Sequence, residues 1–265
     1  MSDSRRNIVW IASYPKSGNT WVRFLACNLI FGRQDSGAAL SVLAPDAHES
    51  GPLIAKTDSA LLAKTHFAFS ARMPLEERTY AAVYVVRDPA DVLLSNYHYS
   101  RRSGEAAEGV KAFDEYVESF ILNRGDPRWL QHGMGTWEEN VRSWLDPRHP
   151  FPVLCIRYED MIADPTPAGE ALARLVRPNS SAEEVRRAVA DSSFHRMREI
   201  EESDIRQRRP GIFYKPYLQQ SIDAGIRFMR SGVVGDGVMR LTAEQRGRLR
   251  CTFKPLLEQL GYESG

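Results

Sequence analysis

The sequence is short of cysteine, of long apolar runs and of net charge, and each shortage excludes a class of protein. Its three cysteines, Cys27, Cys155 and Cys251, are far apart and form no CxxC pair. A disulfide framework or a zinc site is therefore not expected, and each cysteine should be a small buried apolar residue in a reducing compartment. No stretch approaches the ~20 apolar residues of a membrane span. The run Ile8 to Ala12 is too short for the core of a signal peptide, so the expectation is a soluble, cytoplasmic protein with no membrane partner. Lys and Arg together number 35 and Asp and Glu 34, a formal charge of +1. Such balance excludes nonspecific coating of nucleic acid. Any anion must be held by a local cluster of positive groups.

What is present fits an ordinary globular chain. Hydrophobic residues make up 43% and charged residues 26% of 265 positions, enough to bury a sizeable core without staples. Residues 7 to 12 read as a buried strand. The turn-rich octet Tyr14-Pro-Lys-Ser-Gly-Asn-Thr-Trp21 follows, and then Trp21, Phe24, Leu25, Leu29 and Ile30 are spaced for one helix face. A second buried strand, Tyr80 to Val86, ends at Arg87; Asp88 reads as an N-cap with Pro89 at the first helical position. A third strand spans Val153 to Tyr158. Helices are expected over Ala112 to Leu122, Trp137 to Trp144, Pro167 to Leu175, Ala182 to Asp191 and Thr242 to Leu260. Residues 101 to 111 read as a mobile loop, and 201 to 237 as a long irregular segment of the kind that forms lids and binding loops. Short strands separated by helices predict an α/β fold: one domain over residues 1 to 265, with a central parallel sheet covered by helices on both faces.

Two segments carry chemistry. The octet lies between a strand and a helix, where backbone N–H groups and the helix dipole make an anion site. Gly18 lets the backbone approach closely, Lys16 adds charge, and Ser17, Asn19 and Thr20 can add side-chain donors. It is not a Walker A loop, in which the Lys follows the second Gly. The second segment is Arg87 at a strand end, with Ser95 about two helical turns on. No metal-ligand cluster is visible.

The pairing resembles the cytosolic-type sulfotransferases, which use 3′-phosphoadenosine 5′-phosphosulfate (PAPS). Residues 14 to 21 are similar to their 5′-phosphosulfate loop, and Val-Val-Arg-Asp-Pro-Ala-Asp-Val-Leu-Leu-Ser (85 to 95) to their 3′-phosphate segment. In family order, Lys64-Thr65-His66 resembles the segment with the catalytic histidine, and Arg157-Tyr158-Glu159-Asp160-Met161 the segment whose Tyr meets adenine. Ser192-Ser193-Phe194-His195-Arg196-Met197 resembles a nucleotide-contacting segment. Phe228-Met229-Arg230-Ser231-Gly232-Val233-Val234-Gly235-Asp236 resembles the late Arg-Lys-Gly-x-x-Gly-Asp-Trp loop. The sequence departs from the pattern at Asn19 and Ser192, each in place of Thr, at Ser231 in place of Lys, and at Gly237 in place of Trp. Val238 and Gly247 lack the charges of the family's short dimerisation motif, so that dimer mode is not expected and no oligomeric state is assigned.

The resemblance implies a P-loop-kinase-like sulfotransferase fold and transfer of a sulfuryl group to a small-molecule hydroxyl. Adenosine 3′,5′-bisphosphate (PAP) would be the product, with no metal. Lys16, Thr20 and the backbone from Ser17 to Thr20 would hold the 5′-phosphate. Arg87, Ser95, Arg230 and Gly232, with Ser231 beside them, would hold the 3′-phosphate. Trp21, Tyr158 and Phe194 would meet the adenine, and Ser192 the nucleotide. His66 would be the general base, Lys16 would stabilise the leaving phosphate, and Lys64, two residues before His66 on a short strand, would share its face and assist.

Phe67, Phe69, Tyr97, Tyr99, Phe213, Tyr214 and Tyr217 flank these elements and would suit an aromatic or amphipathic acceptor. His48, His98, His132, His149 and His195 receive no role, and Trp129 reads as packing. The departures lean toward a bacterial member acting on a secondary metabolite. Two other readings share the scaffold: a P-loop nucleoside or nucleotide kinase-like phosphotransferase, which would need a Mg²⁺ carboxylate and a Walker A Lys, and a nucleotide-binding module without catalysis.

Overall fold

Four strands pair into one parallel sheet in the computed structural model, which describes residues 6–49, 61–70, 76–105 and 107–262. They are β1 (Ile8–Ser13), β2 (Leu61–Thr65), β3 (Thr79–Val86) and β4 (Val153–Arg157), in the order β2-β1-β3-β4. The central strands β1 and β3 are near-continuous apolar runs because helices cover both faces. Period-two alternation divides their side chains. Ile8, Trp10 and Ala12 of β1 join Ala82, Tyr84 and Val86 of β3 in one core layer, while Ile11, Val83 and Val85 enter the other.

The helices are α1 (Asn19–Phe31), α2 (Gly37–Leu43), α3 (Pro89–Arg102), α4 (Val110–Leu122), α5 (Pro127–Gln131), α6 (Trp137–Trp144), α7 (Tyr158–Ala163), α8 (Thr166–Val176), α9 (Ala182–Asp191), α10 (Phe194–Arg206), α11 (Gln219–Asp223), α12 (Asp236–Arg240) and α13 (Ala243–Gln259). Phe120 of α4, Trp137 and Trp144 of α6 and Phe253 of α13 fill the first layer. Phe24 of α1, Leu172 of α8, Val185 of α9 and Ile200 of α10 fill the second. The expected helices fall within two residues of these bounds, and Asp88 caps α3 by accepting the Ala90 N–H at 2.8 Å.

Four expectations need correction. The segment 201–237 is not irregular throughout: α10 runs to Arg206, and a 3₁₀ turn at Pro216–Leu218 leads into α11. Glu201 and Asp204 are fully enclosed acceptors within α10, and Asp204 takes the Gly37 N–H at 2.7 Å. Strand β4 stops at Arg157, and Tyr158 opens α7, whose first-turn Glu159 accepts the Asp88 N–H at 2.9 Å. Of the cysteines only Cys27 is buried; Cys155 lies exposed on the edge strand β4 and Cys251 exposed on α13. In the segment expected to be a loop, α3 continues to Arg102 and α4 begins at Val110, with position 106 outside the described residues.

In a parallel sheet, ligands bind outside the carboxyl ends of the strands where the order reverses. Here that point lies beyond Ser13 of β1, flanked by Thr65 of β2 and Val86 of β3. The octet, His66 and Arg87 are the first residues beyond these three strand ends.

Candidate functional site

A cavity of about 900 Å³ opens at that end of the sheet. Its walls include Lys16, Gly18, Asn19, Thr20, Trp21, Lys64, His66, Arg87, Ser95, Tyr158, Phe194, Arg230, Ser231 and Gly232. Residues spread over more than 200 positions of sequence are thus brought to one hollow by folding. Ser17 and Ser192 are not in its wall. Ser17 is buried with an unpartnered hydroxyl, and the Ser192 hydroxyl accepts from Asn28 at 2.9 Å and donates to the Ala188 carbonyl at 2.7 Å.

The octet forms a cradle at a helix start that has no side-chain cap. Helices α2, α3, α6 and α9 begin on Ser36, Asp88, Thr136 and Ser181, whose side chains satisfy first-turn amides. Helix α1 begins on Gly18, which has no side chain, so its first amides receive no side-chain cap. Gly18 is also required sterically. Its φ is +105°, and a Cβ there would lie 2.6 Å from the Tyr158 ring. Gly18→Ala is expected to destabilise the fold by about 1–3 kcal/mol and to push Tyr158 from its place; urea unfolding with and without nucleotide measures both effects. Lys16 itself takes a left-handed φ of +70°, a conformation that clusters at functional sites in non-Gly residues.

Asn19 serves the loop differently from the expectation. Its amide donates to the Ile11 carbonyl at 3.0 Å and to the Ser13 hydroxyl at 3.3 Å, so its donors tie the loop to β1 and do not face the cradle. The half-buried Lys16 ammonium rests over the rings of Phe228, at 3.9 Å, and Tyr99, at 4.6 Å. Burial and the neighbouring cation Arg102 lower its pKa to about 7. An anion entering the cradle would restore its charge.

Arg87 lies across the cavity from β2, buried, with its guanidinium 4.2 Å from the Tyr158 ring centre. Its Nε is buried without a partner, as is that of Arg102. The buried Asp91 holds it from one side at 3.3 Å. The same carboxylate accepts the Gly235 N–H at 3.0 Å and the Gly237 N–H at 2.7 Å, binding the late loop to the start of α3. Gly237 is packed so tightly that an added Cβ would meet the Ala90 carbonyl at 2.1 Å; no larger side chain fits there. Arg230 reaches the cavity while paired with Asp236 at 2.5 Å. Gly232 has φ +64°, and its α-carbon packs on the Phe194 ring. Glu201, fully buried, accepts the N–H groups of Phe228 at 2.6 Å and Met229 at 2.8 Å. Asp91, inside the 85 to 95 segment, and Glu201, which belongs to no motif, fix the loop that delivers Arg230.

His66 follows the last residue of β2, and its ring is oriented from one side. Nδ1 lies 2.8 Å from the Ser13 carbonyl and 3.2 Å from the Ser13 hydroxyl. A carbonyl only accepts, so Nδ1 carries the proton and Nε2 keeps its lone pair. Burial and the nearby Lys64 cation hold the imidazole well below its usual pKa, so it is neutral at pH 7. Asn140 donates to the His66 carbonyl at 2.9 Å. Lys64 also faces the cavity, but its ammonium is bound to Asp46 at 2.6 Å, and burial lowers its pKa to about 8.

Beyond His66 the wall is mixed. Phe67, Tyr99 and Tyr217 line it as the aromatic pattern suggested. Phe69 packs on Trp144 and Phe151, Tyr97 on Phe113 and Tyr116, and Phe213 on Phe24, all in core positions. The Tyr214 hydroxyl bonds to Gln219 at 3.2 Å, away from the cavity. Trp129, expected to pack, and His48 and His132, to which no role was assigned, line the cavity instead. Among the described residues, no group of three or more His, Cys, Asp or Glu side chains is placed to hold a metal, and no helix is long and apolar enough to cross a membrane.

The family model described as the sulfotransferase domain matches residues 6–261. The chain is 27% identical to dog (Canis lupus familiaris) sulfotransferase 1B1, over 95% of this chain and 83% of that one. It is also 27% identical to the flavonol 3-sulfotransferase of Flaveria bidentis, over 77% and 69% of the two chains. Its fold is similar to that of mouse sulfotransferase SULT7A1 in a crystal structure with PAP, with a TM-score of 0.69 at 20% identity over 95% of this chain and 84% of that one. Retinol dehydratase in complex with androsterone and PAP gives a TM-score of 0.70 at 18% identity over 95% and 80%.

Proposed function

The chain belongs to the sulfotransferase domain family, and on that footing we propose that it transfers the sulfuryl group of PAPS to a hydroxyl of a small-molecule acceptor. One observation carries this reading: the uncapped N-terminus of α1, Arg87 and Arg230 converge on the same cavity as a neutral His66 with a free Nε2. The fit to the nucleotide rests on the unpartnered Nε of Arg87 and on the two glycine approaches at Gly18 and Gly232. The first amides of α1, with Lys16 and Thr20, would hold the 5′-phosphate. Arg87, Ser95, Arg230, Ser231 and Gly232 would hold the 3′-phosphate, where a guanidinium fork suits a phosphate. Trp21, Tyr158 and Phe194 would hold the adenine by flat apolar contact.

When bound, the donor supplies an activated sulfuryl group with a phosphate as its leaving group. His66 Nε2 accepts the proton of the acceptor hydroxyl as that oxygen forms its bond to sulfur. Lys16 and the α1 dipole offset the charge on the departing phosphate oxygen. Phe67, Tyr99, Trp129 and Tyr217 support an aromatic or amphipathic acceptor. A cytoplasmic, bacterial setting belongs to the same reading, supported by the three unpaired cysteines and by Asn19 in place of the Thr of the family pattern.

Differential stabilisation tests the donor site. PAP at about a hundred times its Kd should stabilise the protein by about 2.7 kcal/mol, and ADP at the same concentration should do far less. Arg87→Ala should weaken PAP binding by about ten- to hundredfold and bring PAP down to the level of ADP. Equal stabilisation of the unaltered protein by the two nucleotides would reject the 3′-phosphate site.

A further inference from the structure

We propose that His48 is a positioning residue for His66: its imidazole takes the place of a strand carbonyl and fixes the backbone that carries the base. The proposal rests on His66 being the general base of the reaction above.

His66 lies one residue beyond β2, the edge strand of the sheet, where the ladder to β1 has ended. A backbone N–H at such a place needs an acceptor. Outside β2 the chain of Pro45 to His48 runs alongside. The Lys64 N–H donates to the Pro45 carbonyl at 2.8 Å, and Asp46 forms an isolated parallel bridge with Lys64. The next acceptor in this series is a side chain. The His66 N–H donates to His48 Nε2 at 3.0 Å. An N–H can only donate, so His48 must keep a lone pair on Nε2 and be neutral with its proton on Nδ1.

The surroundings hold the ring in that role. It lies on Phe67 with ring centres 3.8 Å apart. Asp46 accepts the His48 backbone N–H at 3.0 Å with one oxygen and the Lys64 ammonium with the other. His66 is therefore fixed at three points: its N–H by His48, its carbonyl by Asn140 and its Nδ1 by Ser13. Of the three, only the His48 contact comes from a side chain of the segment outside the sheet edge. Losing it frees the peptide between Thr65 and His66 to rotate and turns Nε2 away from the acceptor oxygen. Misplacement by about 1 Å costs on the order of a hundredfold in rate.

Two measurements test this. The first is independent of turnover: ¹⁵N-resolved imidazole NMR should show His48 neutral with its proton on Nδ1, and a proton on Nε2 would overturn the proposal. The second uses His48→Ala and His48→Gln, the glutamine carbonyl standing where Nε2 accepts. With PAPS and a phenolic acceptor, His48→Ala should lose kcat by about ten- to hundredfold while PAP stabilises it as fully as the unaltered protein. His48→Gln should recover most of the loss. An unchanged kcat in His48→Ala, or a glutamine variant as slow as alanine, would overturn the proposal. If the unaltered protein transfers no sulfuryl group at all, the functional reading fails instead, and the NMR tautomer alone decides the placement of His48.

Discussion

Replacing His66 with alanine is expected to lower kcat by about 10²–10⁴-fold while PAP still stabilises the protein. The reason lies in the division of the cavity. The groups that would hold the phosphates come from the α1 loop, Arg87, α3 and the late loop, while His66 comes from the end of β2 and bonds to Ser13, His48 and Asn140, none of them phosphate-holding groups. A base must be unprotonated and aimed. The Ser13 carbonyl assigns the proton to Nδ1, and burial beside Lys64 keeps the ring neutral through the physiological range. Activity should therefore show no loss from His66 protonation near pH 6.5, where an ordinary histidine would titrate. Single-turnover rates and nucleotide-induced melting shifts on the same preparation separate the two functions. Loss of both would make His66 a structural residue.

The second large effect is expected at Lys16. Lys16→Met keeps the length and the apolar stem of the side chain but removes the charge opposite the leaving phosphate. Losing one such preorganised charge costs on the order of 10²–10³ in kcat. The structure adds a pH signature. With its pKa lowered to about 7, Lys16 of the free protein loses its proton as pH rises above 7. Phosphate favours the charged form, so binding restores the proton. The affinity for PAP should therefore fall as pH rises from 7 toward 9, with proton uptake on binding, and calorimetry in buffers of different ionisation enthalpy measures that uptake. In Lys16→Met the slope over this window should vanish. A slope that survives the substitution would assign it to another group.

The parts of this site that follow local rules were legible in the sequence. A strand, a Gly-containing turn and an amphipathic helix announce β1, Gly18 and α1, and Asp88-Pro89 announces the start of α3. Other parts depend on which residues meet across the fold. Asn19 reads as a donor to a ligand, but its amide bonds back to β1. Gly237 reads as the loss of a large side chain, whereas the close approach of α12 to Ala90 leaves no room for one. Residues 201 to 206 read as the start of an irregular segment, whereas Glu201 and Asp204 are enclosed acceptors within α10. His48 has no motif around it, and its meaning appears only once Pro45 to His48 lies beside the edge of β2. Gly237, Glu201, Asp204 and His48 meet partners far away in sequence, and the packing and hydrogen-bond satisfaction of buried groups are tertiary properties.

The most direct test of the central claim is mass analysis of the products after incubating the protein with PAPS and a panel of phenolic and aliphatic hydroxyl acceptors. An acceptor gaining one sulfuryl group, with an equal amount of PAP released and neither product formed by His66→Ala, is the predicted result. PAP release without any sulfated acceptor, or an unchanged donor across the whole panel, would contradict it.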